Sequence, residues 1–339
     1  LVVAVAALSA ATPGCASEQE PGATGAAGPG AGGGSTSASG GPSSGTGGVP
    51  CPDGELCLDP PAQGFQVKSK GDTIQPGQDV EYCEVVQLPG DPSETYYVNR
   101  LEAAMTKYSH HLIVVAVEPG SATEKNVFAG KKEKCFQVTT FGEDVEGVTG
   151  SQLPYRDEIF PDGVGKIYKG GQLVIFDYHY LNTTGAPIKA AAAVNFHTVD
   201  ASKIKKISQG FGFFNFNIYV PPNDTASFTK DCAFSQDVVV YKLVRHTHRW
   251  GTEFPIRFRG GPKDGELVWT SKDYEDVDHM LPEPVLMKAG TGFEFTCNYN
   301  NTTPDALTFG VKATDEMCIL FGQWFVVNEG DPVTEQGCG

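Results

Sequence analysis

The apolar positions of this chain recur in short runs separated by turn residues, and long amphipathic helical patterns are missing. Val114-Val115-Ala116-Val117, Leu173-Val174-Ile175-Phe176, Phe293 to Cys297 and Leu320 to Val327 are rich in β-branched and aromatic residues, as strands are. The run Phe214 to Val220 alternates, which predicts Phe214, Phe216, Ile218 and Val220 on one strand face. Pro119-Gly120, Asn182 to Pro187, Pro221-Pro222-Asn223-Asp224 and Gly260-Gly261-Pro262 punctuate these runs. The pattern predicts an all-β protein with two antiparallel, jelly-roll-like β-sandwich domains in tandem, over 51–200 and 201–339.

The first 50 residues break that pattern. Residues 1–15 contain the apolar run Leu1 to Leu8, which resembles the core of a secretory signal and is too short to span a bilayer. Cys15, after Gly14, is a candidate acylation site of the bacterial lipoprotein kind, the one membrane attachment expected. Residues 16–50 are almost entirely Gly, Ser, Ala, Pro and Thr, too polar to bury a core, and read as a disordered tether. As a Gly/Ser coil it would reach roughly 30 Å root-mean-square. The expected location is exported: secreted, periplasmic or lipid-anchored at the cell surface.

Charge removes one class of partner. Twenty-five basic against 41 acidic residues leave a net charge of −16, which argues against nucleic acid and anionic membranes. Beyond Cys15 there are eight cysteines, at 51, 57, 83, 135, 232, 297, 318 and 338. An even number in an exported chain predicts four disulfides, with the pairing left open by sequence. A bridge from Cys318 would anchor the backbone of its neighbour Met317.

The candidate chemistry lies in an ordered series: His110-His111, His179, His246-Thr247-His248 and Met317. It reads as two three-ligand metal sites. Imidazole suits several transition metals, whereas a thioether adds affinity mainly for Cu(I), so Met317 points to copper. If Val238 to His248 is one strand, His246 and His248 share a face and converge on one ion. His110 and His111 diverge in a regular strand and meet one metal only at a strand end or a distortion. In the run Leu173 to Tyr180, His179 shares a face with Leu173, Ile175 and Asp177, at the end of an apolar stripe.

In order along the chain, Tyr82-Cys83, Ser109-His110-His111-Leu112, Tyr178-His179-Tyr180, Val220-Pro221-Pro222, His246-Thr247-His248 and Asp315-Glu316-Met317-Cys318 resemble the copper type II, ascorbate-dependent monooxygenases. Those are the peptidylglycine α-hydroxylating and dopamine β-type enzymes, and the resemblance spans roughly residues 75 to 338. It implies two β-sandwiches with one copper on each, facing each other across a solvent-filled cleft. It further implies that His110, His111 and His179 hold an electron-transfer copper, and that His246, His248 and Met317 hold a catalytic copper that meets dioxygen. Disulfides Cys83–Cys135, Cys232–Cys338 and Cys297–Cys318 are implied, which leaves Cys51 and Cys57 for a small local loop. The partners implied are a small-molecule substrate, O2 and an electron donor such as ascorbate.

The departures bear on substrate. Peptide-amidating members anchor a substrate carboxylate with an Arg two residues before the His-Thr-His pair and an Asn and a Tyr after the Met-Cys. Here those positions are Val244, Ile319 and Phe321, and Arg245 faces the other way on a strand. A less polar substrate than a C-terminal glycine peptide is expected. Asp177 replaces a Gln of the amidating enzymes and reads as an exposed or hydrogen-bonded strand carboxylate. His197 and His279 match nothing in the family and read as surface or hydrogen-bonding residues, and Asp315 and Glu316 as residues that cap or solvate a turn. The sequons at Asn182, Asn223, Asn300 and Asn301 matter only in a host that glycosylates. Three functions follow: a copper monooxygenase, a non-enzymatic copper-binding or electron-transfer protein, and a zinc-binding or structural sandwich.

Overall fold

In the strand Leu173–Leu181, Val174, Phe176, Tyr178 and Tyr180 point into one core, while Leu173 and Ile175 enter a smaller cluster on the opposite face. That alternation sets the architecture of the first half of the molecule. The computed structural model describes residues 54–135, 144–272, 277–310, 314–334 and 336–338, all within one compact unit, Val49–Gly339. Residues 1–15, 16–50 and Cys51, with its expected link to Cys57, lie outside the described residues.

The first core is enclosed by two sheets. One runs in the order Gly64–Lys68, Ala192–Val199, Thr95–Met105, Val164–Lys169, Lys206–Ile207, with Tyr155–Ile159 also paired to Thr95–Met105. The other runs Lys132–Lys134, Asp79–Gln87, Leu173–Leu181, Ser109–Val117, Val145–Ser151. Leu101, Val194 and Phe196 from the first interleave with Val114, Phe176 and Tyr178 from the second. The second core lies between the sheet Asp278–Met287, Val238–His246, Ile319–Val326, Gln209–Phe214, Gly337–Cys338 and the sheet Asp224–Ala233, Gly292–Asn301, Gly251–Arg259, Leu267–Ser271. Phe213, Leu243, Leu320 and Trp324 meet Phe254, Ile256, Phe293 and Phe295 there. The protein is all-β, apart from single short α- and 3-10 turns among the described residues.

One expected strand does not form as drawn. Gln209–Phe214 ends at Phe214, and the chain resumes extended pairing only at Tyr219–Val220. The Asn215 carboxamide oxygen accepts from the Asn217 backbone N–H, and the Asn215 N–H donates to the Cys318 carbonyl. These local bonds replace the sheet ladder, and Phe216 turns out to solvent while Ile218 and Val220 stay buried.

The two halves are joined by buried polar groups rather than by a loop alone. A bulge between Val240 and Lys242 lets both Tyr241 and Lys242 reach the first half. Tyr241 packs in the first core, and the Lys242 ammonium lies 3.0 Å from the Glu158 carboxylate. Gln323 donates to the same carboxylate oxygen at 2.7 Å, and Arg156 pairs with Asp278 at 2.8 Å. Burial alone would raise Glu158, but the charges of Lys242 and Arg156 outweigh it and bring the carboxyl down to about 2.

Disulfides join Cys83 to Cys135, Cys232 to Cys338 and Cys297 to Cys318, the three pairs the resemblance implies.

Candidate metal centre

Strand register assembles the first histidine group. Across three neighbouring strands the pairs Glu81–His179 and His179–His111 stand directly opposite one another, so the three side chains form one row. His110 joins them because a register shift falls between His179, opposite His111, and Tyr180, opposite Ser109, so that His110 bulges from the regular ladder near the start of its strand. Tyr108, just before it, has a φ of 72°. The distortion that two adjacent histidines require is therefore present. Ligand atoms of His110, His111 and His179 all lie within 4.8 Å of one another.

The ring nitrogens are oriented. The Nδ1 atoms of His110 and His111 are 3.1 Å apart, and the Nδ1 of His179 is buried without a hydrogen-bond partner. Behind them, the Nε2 of His179 bonds Asp79 at 2.5 Å and the Nε2 of His111 lies 3.4 Å from Glu81. A carboxylate behind an imidazole keeps the proton on the rear nitrogen and leaves the front lone pair for a metal. Burial first, then the neighbouring His111, His179 and His248 rings, hold His110 down to about 3, so the ring is neutral. The orphaned Nδ1 of His179 holds a buried lone pair that a cation shared with His110 and His111 would take up. The three residues fit a metal.

Asp79 and Glu81 were not singled out from sequence. Their spacing of two on one strand carried the signal, but nothing along the chain tied them to histidines 30 to 100 residues away. Asp177 is buried, and burial raises its neighbour Glu81 while the hydrogen bond and charge of His111 bring that group below its ordinary value.

The second group is built differently. The strand Val238–His246 stops at His246, so His248 does not share a strand face with it as expected. It lies beyond the strand end, where the His248 carbonyl accepts from the Gly251 N–H. A side chain on Gly251 would meet the Thr247 hydroxyl at 2.2 Å, so the chain can turn here only with glycine. The His246 and His248 rings are 5.4 Å apart and nearly perpendicular. The Nδ1–H of His248 donates to the Asp315 carbonyl at 2.8 Å, which leaves Nε2 as the ligand atom. Burial lowers both histidines.

Met317 is buried and held from several sides. Tyr299 donates to its carbonyl at 2.6 Å, and the next residue is bridged to Cys297. The wholly buried Glu316 carboxylate accepts from the backbone N–H groups of His248 at 2.9 Å, Trp250 at 2.9 Å and Met317 at 3.2 Å. Glu316 is thus no solvated turn residue, because one carboxylate fixes the backbones of two candidate ligands. Val244, Ile319 and Phe321 lie beside His246 on the sheet face turned away from the core, and Arg245 points to the other face, where it donates to Thr247.

The two groups meet. The His110 and His248 rings are 6.2 Å apart, in place of the solvent-filled cleft that the resemblance implies. His197 and His279 stand apart, His197 against Glu102 and His279 stacked on Trp269 at 5.0 Å.

Residues 212–338 match the family "Copper type II ascorbate-dependent monooxygenase, C-terminal domain". No curated protein matches the chain in sequence. Among solved structures, PNGF-II is 12% identical, with 83% of this chain and 66% of that chain covered and a TM-score of 0.28. The PBSX exported protein XepA is 11% identical, covers 79% of this chain and 90% of that one, and has a TM-score of 0.18. Likenesses that low carry no weight for fold or function.

Proposed function

We propose that this chain, whose residues 212–338 match the C-terminal domain of the copper type II ascorbate-dependent monooxygenases, is a two-copper monooxygenase hydroxylating a C–H bond of a small, weakly polar substrate. The observation that carries the proposal is the convergence of five histidines in two groups, with the His110 and His248 rings 6.2 Å apart. His110, His111 and His179 would hold one copper, and His246, His248 and Met317 the other. Bound copper supplies one-electron redox chemistry and a site for dioxygen.

In balance, a C–H bond and O2, with two electrons and two protons from ascorbate or an equivalent donor, give the alcohol and one water. The chain's own residues carry the rest. Asp79 and Glu81 keep the rear ring nitrogens of His179 and His111 protonated. Glu316 and the Asp315 carbonyl hold His248 in the tautomer and position its metal requires. The oxidising surroundings that three disulfides need agree with an exported protein.

Copper analysis and ascorbate-driven O2 uptake test this reading. Two coppers per chain, mutually broadened in the electron paramagnetic resonance spectrum of the oxidised protein, and a hydroxylated product are expected. Two coppers that cycle with ascorbate but never yield product would make the protein an electron carrier, and preference for zinc would remove the redox reading. Met317→Ile is expected to keep the first copper and abolish turnover, so unchanged turnover would take Met317 out of the reaction.

A further inference from the structure

The sheet that carries His246 has two unlike faces. One enters the core through Phe213, Leu243, Leu320 and Trp324. On the other, residues directly opposite one another form successive rows: His246, Ile319 and Phe214; then Val244, Phe321 and Gly212; then Lys242, Gln323 and Gly210. The last row is closed by Glu158, which takes both Lys242 and Gln323. Between the histidine at one end and that ion pair at the other, the side chains these three strands present are apolar; the edge strand adds Asp278 opposite Val244, held by Arg156.

The aromatic residues continue beyond these rows. Phe321 lies 6.5 Å from the His246 ring and edge-on to Phe214 at 5.8 Å. Phe214 is stacked on Phe216 at 5.6 Å with only 10° between the planes, and Phe216 meets Phe309 edge-on at 4.8 Å. Phe309 is itself bridged to Glu316, next to Met317. The four rings therefore form an arc that starts at one candidate ligand of the second copper and returns beside another. Gly212 makes room for it, since a Cβ there would stand 2.8 Å from Phe214 and 3.4 Å from Phe321. Phe216 is 52% exposed, a high value for a phenylalanine stacked on its neighbour and a sign that the arc is open to an incoming ring.

We infer that this arc is the substrate-binding surface of the proposed monooxygenase and that it takes a neutral aromatic group. Aromatic faces and edges offer stacking and T-shaped contacts to a planar ring. They offer nothing to a carboxylate or an ammonium, whose desolvation against them would go uncompensated. The charges at the far end of this face, Lys242, Glu158, Asp278 and Arg156, are engaged with one another, and the Glu316 carboxylate behind Phe309 is taken up by backbone N–H groups. The inference rests on the monooxygenase reading for the word substrate, but ring binding itself does not require turnover.

The test uses the full chain loaded with Cu(I), which is diamagnetic, and follows 19F line broadening of three probes: 4-fluorobenzyl methyl ether, 4-fluorobenzoate and 4-fluorobenzylammonium. The neutral ether is expected to bind at least tenfold more tightly than either ion. Phe321→Ala and the surface variant Phe216→Ser, which disturbs no core, are expected to weaken ether binding by about tenfold with copper content unchanged. Equal binding of the three probes, or undiminished ether binding in both variants, overturns the inference. Selective ether binding in a protein that shows no ascorbate-driven O2 uptake upholds the aromatic site and sinks the monooxygenase reading instead.

Discussion

The two histidine groups solve the same problem by opposite means. In the first, the ligands lie on adjacent strands, and side-chain carboxylates, Asp79 and Glu81, stand behind the rings. In the second, His248 and Met317 lie past strand ends, and their backbones are tied together by the single carboxylate of Glu316. Sheet register gives the first group a fixed frame and extra negative charge, which suits a metal that stays in place and passes electrons. A loop-built group permits ligands of mixed chemistry, with an apolar face alongside, which suits a metal that must admit reactants. The same loop construction makes the second group depend on one residue.

The largest effect should come from that residue. Glu316→Ala leaves three backbone N–H groups buried without acceptors, at about 1–3 kcal/mol each. It should also release His248 and Met317. Copper bound per chain should fall from two to one, with the first site still loaded; retention of both coppers would show that the two groups are equally robust.

Next comes the link between the halves. Removing one partner of a buried ion pair costs about 3–5 kcal/mol, so Glu158→Gln should lower stability by that amount in denaturant unfolding. The Glu158→Met, Lys242→Met double variant should recover most of it. Glu158 titrates near 2 when folded, below its ordinary value of 4.5, so its stabilisation is complete above about pH 4.5 and drains away as pH falls toward 2. Acid unfolding of the double variant should lose that dependence.

The smallest effect sharpens the contrast itself. Asp79→Asn keeps the shape but withdraws the charge behind His179, and changes of this kind cost about 10–100-fold in metal affinity. Competition with a chelator should show the loss at the first copper alone.

Much of this was legible along the chain. The short β-rich runs foretold an all-β protein, the adjacency of His110 and His111 foretold the distortion at the strand start, and the family resemblance, not spacing, grouped them with His179. The placing of Val244, Ile319 and Phe321 beside His246 followed from strand alternation as well. The position of His248 was misjudged, because strand alternation was extended past His246, where the strand ends in the turn that leads to Gly251. The alternating run at Phe214 failed likewise, since the Asn215 side chain offered the backbone an alternative to the ladder.

Residue type and order along the chain suffice to pick out the candidate ligands, because the affinity of imidazole and thioether for a soft metal belongs to the side chains themselves. They suffice for strands too, because β-branched and aromatic alternation is a local property. What they do not contain is the approach of His110 to His248, the Glu158–Lys242 pair, the carboxylates behind the first histidines and the aromatic arc from Phe321 to Phe309. Each of these joins groups on different strands or loops through register, bulges and sheet packing. Those are settled only when the whole chain has buried its cores.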